Sequence, residues 1–152
     1  MPLKISQTQL NNEILIKLEG AIDEDTFFPT NFNSAIRLDM EKLTGMNSVG
    51  IRKFVMWTDK LKNFPMILEK CQPICVRNFN FVLHFYRPNM TIESFYVPYY
   101  SDATGERKKV LFRRGIEYSP GRELKLPVVK DTKGLIMELD EDEKSYFNFL
   151  KI

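Results

Sequence analysis

Ile36, Leu38 and Met40 alternate with Arg37, Asp39 and Glu41, a pattern that puts every apolar side chain on one face of a strand. The alternation breaks across residues 45–50. From there Ile51, Phe54, Val55 and Leu61 fall at the spacing of a helical stripe. Asn47 and Ser48 stand at the join, and both side chains suit the free amides at a helix start. A strand running straight into a capped helix builds a polar ledge at the edge of a sheet. That ledge, rather than any catalytic cluster, is the candidate functional feature.

The same periodicities extend along the chain. Leu3 and Ile5, then Ile14, Ile16 and Leu18, alternate around Asn11 and Asn12, which predicts a hairpin whose asparagines accept positive φ. Gly20 is expected to end the second strand. The run Asp23, Glu24, Asp25 suits the positive end of a short helix limited by Pro29. Residues 66–68 predict a short buried strand, and Pro73 fits a first helical position, with Val76, Phe79 and Leu83 on one face. After Pro88 the texture turns to aromatic and β-branched residues at 91–100 and 110–112, separated by a turn at 102–105. Residues 117–129 carry Pro120, Gly121 and Pro127 and predict a loop or weak edge strand. Residues 135–139 predict a last strand. Asp140 would then cap a terminal helix whose Tyr146, Phe147, Phe149 and Leu150 need a surface to bury against.

Composition narrows the picture. The 152 residues are 43% hydrophobic and 28% charged, an ordinary globular balance for one domain or a domain with a small appendage. No segment approaches the roughly 20 apolar residues that cross a bilayer, and the first residues lack the apolar core of a signal peptide. Cys71 and Cys75 lie too close to staple a fold, so reduced, cytoplasmic thiols are expected. His84 is the only histidine, which excludes a His-based dyad or a multi-histidine metal site. Metal or redox work by Cys71, Cys75 and His84 is weighed against the commoner small, buried core thiols. No phosphate-binding glycine pattern occurs.

Net charge is +2 but unevenly spread: residues 107–133 hold nine basic and three acidic residues, and 134–152 hold two basic and five acidic. Arg107, Lys108, Lys109, Arg113, Arg114, Arg122 and Lys125 interleave with Tyr99, Tyr100, Phe112 and Tyr118. On a hairpin these offer phosphate contacts and stacking faces for single-stranded nucleic acid. The plainer reading is a solvated strand face backed by core aromatics.

Several segments together resemble the STAS domain, the fold of bacterial anti-anti-sigma factors and of sulfate-transporter cytoplasmic tails. They are the early hairpin ending in LEGAID, the strand IRLDMEKL, the turn MNSVGI with its helix RKFVMWTDKLK, and PMILEKCQP with its helix VRNFNFVLHF. The resemblance covers about the first 90 residues and implies docking of a partner protein. The family turn reads roughly Asp-Ser-Ser-Gly, and the serine before the glycine takes a phosphate that breaks a complex. By position Asn47 replaces the Asp, Ser48 matches the first Ser, and Val49 stands at the acceptor. Val49 has no hydroxyl, so the family's added-charge switch has nothing to act on there. Ser48 reads as a cap or turn hydroxyl, with phosphorylation the alternative.

The part beyond Pro88 resembles a zinc ribbon without its ligands. Residues 101–105 and 130–134 have the spacing of Cys-x-x-Cys-Gly knuckles, with Ser101, Thr104, Lys130 and Lys133 where thiolates would stand. Two ordinary glycine turns in a β-hairpin module remain the other reading.

The expectation is therefore an α/β chain. Residues 1–88 form a STAS-like mixed β-sheet with helices packed against it. Residues 89–152 form a small metal-free β module ending in a short helix. Its expected function is a non-enzymatic, bacterial, cytoplasmic interaction module without a cofactor, metal or membrane association. Its partner is a regulatory protein, kinase-like or another signalling protein, rather than nucleic acid. Docking is assigned to Asn47, Ser48, Val49 and Gly50, and to Lys53, Met56, Trp57 and Lys60, which share a helix face by their i, i+3, i+4, i+7 spacing. A small-ligand or anion sensor at the same helix start is the alternative from another class.

Overall fold

The computed structural model describes residues 2–151. Strands β1 (Lys4–Gln9) and β2 (Glu13–Ile22) form an antiparallel hairpin, closed by Leu10 N–H donating to the Glu13 carbonyl at 2.8 Å. Neither Asn11 nor Asn12 takes the positive φ expected of it. Strands β3 (Ala35–Met46), β4 (Met66–Glu69) and β5 (Met90–Ile92) follow in parallel, so the five-stranded sheet is mixed, with spatial order β1-β2-β3-β4-β5. Helix α1 (Ser48–Lys60) joins β3 to β4, and helix α2 (Pro73–Phe81) joins β4 to β5. A second, three-stranded antiparallel sheet has the order β7-β6-β8, from β6 (Ser94–Tyr100), β7 (Arg107–Arg113) and β8 (Glu138–Leu139). Helix α3 (Glu143–Tyr146) and a 3-10 turn (Asn148–Lys151) end the described chain. This is an α/β architecture, and no helix among the described residues is long and apolar enough to cross a membrane.

Alternation explains the first sheet. Ile16, Leu18, Ile36, Leu38, Met66, Leu68, Met90 and Ile92 are buried. Residues of the opposite parity form a charged face. There Arg37 of β3 pairs with Glu13 of β2 at 2.6 Å, with Glu69 of β4 at 3.1 Å, and with Glu93. These contacts across strands help to pin the register.

The two sheets are stitched together by backbone. Cys71 N–H donates to the Ser94 carbonyl at 3.2 Å and Tyr96 N–H donates to the Cys71 carbonyl at 2.8 Å, while Lys70 turns the chain at φ 53°. The chain after Pro88 thus supplies the fifth strand of the first sheet, and the step between sheets falls at Glu93. Phe95 sits at the centre of the shared core, against Phe112, Tyr118, Phe147 and Phe149 at ring-centroid distances of 5.0–6.1 Å. Phe149 also meets Phe79 of α2 at 5.6 Å. Phe147 and Phe149 therefore find the burial their sequence demanded, against the second sheet and α2.

Several local expectations are corrected. Gly20 does not end its strand: at φ 111° it accommodates a register shift against β3, and β2 continues to Ile22. Residues 23–26 form a tight turn rather than a helix, with Asp25 N–H on Asp23 Oδ1 at 3.0 Å and Asp23 N–H on Thr26 Oγ1 at 2.9 Å. These short side chains offer the backbone a turn that competes with helix. β3 runs past Gly45 to Met46. Leu83 lies beyond the end of α2 and is exposed. The strand expected across 91–100 is divided at Glu93 between two sheets. The last strand is only two residues long, with Leu135 and Ile136 exposed. The terminal helix is capped by Asp142, whose carboxylate accepts from Ser145 N–H at 3.0 Å, while Asp140 pairs with Arg107 at 2.7 Å.

Candidate functional site

The ledge forms at the carboxyl ends of the parallel strands β2 and β3. Asn47 keeps an extended backbone (φ −92°, ψ 178°), and its Oδ1 accepts from Gly50 N–H at 2.8 Å, so it is the N-cap of α1. Its Nδ2 donates to Glu24 Oε2 at 2.6 Å, which ties the helix start to the turn after β2. Lys53, one turn further along α1, donates to the carbonyl oxygens of Glu24 and of Thr26, the latter at 3.0 Å. The Glu24 carboxyl is held below its ordinary range, first by its own backbone amide and then by Asn47.

Gly50 makes the seat. A Cβ built there lies 2.0 Å from the Ile22 carbonyl oxygen, so only glycine lets the first turn of α1 approach the end of β2 this closely. Gly50 is consequently buried, while Asn47, Ser48 and Val49 are exposed. Ser48 is the first helical residue rather than the cap.

Along α1, Met56 is 55% exposed and Lys60 is exposed, while Lys53 is half-buried by its carbonyl contacts. Trp57 is only 3% exposed. Its Nε1–H donates to the Pro29 carbonyl at 2.7 Å, and its ring stacks on Phe28 at 4.3 Å with 8° between planes. It therefore leaves the face it was assigned to by spacing and belongs to the core. The exposed stripe of α1 is Val49, Arg52, Met56 and Lys60.

Beside the stripe stands Phe27, 86% exposed, with the Lys53 ammonium 5.3 Å from its ring centroid. Phe27 and Arg52 were missed from sequence. Arg52 had a signal, since Val49, Arg52 and Met56 keep i, i+3, i+7 spacing. Phe27 had none that separated it from its half-buried neighbour Phe28.

The other candidate groups lie elsewhere. Cys71 and Cys75 are fully buried reduced thiols. Burial raises the pKa of both, that of Cys75 to about 12, so neither offers a ready thiolate. His84 is exposed at φ 66°. Among the described residues no group of three or more His, Cys, Asp or Glu is arranged to hold a metal.

Tyr99, Phe112 and Tyr118 are buried, so these members of the basic hairpin present no stacking faces. Lys108 donates to the Lys130 carbonyl at 2.6 Å and Lys109 to Gln72 Oε1 at 2.6 Å.

The two knuckle-like turns do meet. Ser101 Oγ donates to Asp131 Oδ2 at 2.6 Å, and Thr104 Oγ1 to the same oxygen at 3.4 Å. Asp131 Oδ1 accepts from the backbone of Lys133 and Leu135, each at 2.9 Å. A carboxylate bridges the turns by hydrogen bonds. The Ser101 hydroxyl first, then the Leu135 and Lys133 amides, hold its pKa below the ordinary value against the upward pull of burial.

In class, the fold is a mixed five-stranded sheet with helical crossovers, carrying a strand-to-capped-helix ledge and a hydrogen-bonded β module. No protein-family model matches the chain, and no curated protein matches it.

Proposed function

We propose that the chain is a non-enzymatic protein-interaction module of STAS type that docks a regulatory partner through the start and exposed stripe of α1. The observation that carries this reading is the pairing of an exposed apolar and basic surface with a fully packed base. Phe27, Val49 and Met56 project with Arg52 and Lys60, while Gly50, Phe54 and Trp57 beneath them are buried. Exposed apolar residues rimmed by charges of both signs, Arg52 and Lys60 with Glu24, Asp25 and Asp59, suit a macromolecular partner with an apolar patch and a mixed-charge rim. The partner is a kinase-like or other signalling protein in a bacterial cytoplasm. With Val49 at the position of the family's acceptor serine, control rests with the partner's own state rather than with phosphorylation at that place.

The sensor reading at this helix start has no comparable support. The Glu24 carboxylate already lies against Asn47, with Asp23 and Asp25 in the same turn, and this charge repels an incoming anion.

Affinity capture from a lysate of the source cells tests the proposal, run with wild type, Val49→Asp and Leu83→Asp side by side. Leu83→Asp serves as a surface control on the turn after α2, outside the exposed stripe of α1. A protein captured by wild type and Leu83→Asp but lost with Val49→Asp, and then bound directly when purified, supports docking at the ledge. Capture that is the same for all three chains overturns it.

A further inference from the structure

A second concave feature lies on the far part of the sequence from the ledge. It is a cleft of about 910 Å³ between the outer strand β5, the loop 114–124 and the terminal helical turns. Its volume falls in the range of small-molecule sites, roughly 300–1,000 Å³.

Ile92, Tyr118, Phe147 and Phe149 contribute to its lining and are themselves core residues, each less than a tenth exposed. The floor is therefore rigid and apolar. Tyr118 is fixed further by its hydroxyl, which donates to the Ile92 carbonyl at 2.6 Å and covers part of the edge of β5. Leu124 closes the loop side, half-buried against the core.

Charge on the lining is unbalanced. Arg114, Arg122, Lys144 and Lys151 stand against Glu123 and Glu143, four cations to two anions, a net of +2. Among the described residues Arg114, Arg122 and Lys144 enter no ion pair, as Arg52 on α1 does not, whereas Arg37, Arg77, Arg87, Arg107 and Arg113 do. Exposed, unpaired guanidinium groups lining the same cleft as an apolar floor match a ligand with an anionic head and an apolar body.

We propose that this cleft binds one amphiphilic carboxylate, an acyl or aryl acid. Its hydrocarbon part lies on Ile92, Tyr118 and Phe149, and its head group meets Arg114 and Arg122. Neither the ledge nor its partner enters this assignment, so the two stand or fall separately.

Dodecanoate is the probe and dodecylammonium its charge-reversed control. Both are titrated below their aggregation thresholds into the whole chain and followed by calorimetry and amide chemical shifts. Saturable binding of one dodecanoate per chain is expected, with shifts concentrated at residues 86–92, 114–124 and 143–150. Dodecylammonium should bind at least about tenfold more weakly, because the guanidinium groups oppose it. Arg114→Gln should weaken dodecanoate by about tenfold with the melting temperature unchanged, and Leu124→Trp should abolish binding by filling the cleft. Should Leu124→Trp fold poorly, Arg114→Gln and the charge-reversed control still decide the matter. Absence of saturable binding, equal binding of the ammonium compound, or shifts centred outside the cleft would each overturn the proposal.

Discussion

At the ledge, Asn47, Glu24 and Lys53 spend their hydrogen bonds on one another and on nearby carbonyls, above a buried glycine and tryptophan. In the cleft, the exposed Arg114, Arg122 and Lys144 have no acidic partner among the described residues and line the same space as the buried Tyr118, Phe147 and Phe149. The ledge presents apolar side chains outward from a satisfied polar frame, which suits the flat surface of another macromolecule. The cleft sets exposed, unpaired cations around an apolar cavity, which suits an amphiphilic carboxylate. The contrast teaches that exposed charge alone does not mark a ligand site. Arg52 and Lys60 on the ledge are as unpaired as the cleft cations, and what separates the two places is the concave apolar floor of the cleft.

The largest effects should separate what lies under the ledge from what lies on it. Trp57→Ala removes a stacked, hydrogen-bonded indole and should cost about 4 kcal/mol in unfolding free energy. Met56→Ala, one residue earlier and exposed, should stay within about 0.5 kcal/mol of wild type. Denaturant unfolding of the pair checks both; similar losses would mean that the stripe is not a free surface. Gly50→Ala should cost about 3 kcal/mol by the same measurement, since its Cβ meets the Ile22 carbonyl and α1 must shift.

Asn47→Ala should cost about 1 kcal/mol through loss of the cap to Gly50 N–H. It also frees the turn at residues 23–26, which faster amide exchange at Gly50 and Asp25 would register.

The smallest effect belongs to the second sheet. The pKa of Asp131 in the fold lies below its ordinary value of 3.8. Its contribution is therefore present above about pH 3.8 and is lost as pH falls through the lower folded value. Melting-temperature differences between wild type and Asp131→Asn should be full at pH 6 and shrink on acidification below the ordinary value. A difference independent of pH would remove the charge of Asp131 from the account.

Where structure followed from neighbours in sequence, it could be read there. The β3–α1 join is one case: strand alternation, an asparagine cap and a helical stripe all fall within residues 36–61. The meeting of the turns at 101–105 and 130–134 was foreshadowed by their matched spacing, but the bridging group was not. Asp131 stands between the positions that the motif singles out, and its partners lie 30 and 27 residues away.

Trp57 could not be placed from helical spacing, because its burial depends on Phe28 and the Pro29 carbonyl, both outside the helix. The cleft had no sequence signal at all. Its floor and rim come from β5, the loop after β7 and the terminal turns, and the last of these meet β6 through the packing of Phe95 against Phe147 and Phe149 and the Tyr146 hydroxyl on the Tyr96 carbonyl.

The docking surface is tested most directly by titrating the purified captured partner against wild type, Met56→Glu and Arg114→Gln, all matched in melting temperature. Binding should weaken by at least about tenfold for Met56→Glu, the scale of one lost interface anchor, and stay unchanged for Arg114→Gln. Full affinity in Met56→Glu, or a loss confined to Arg114→Gln, would contradict this and move the interface from the ledge to the cleft.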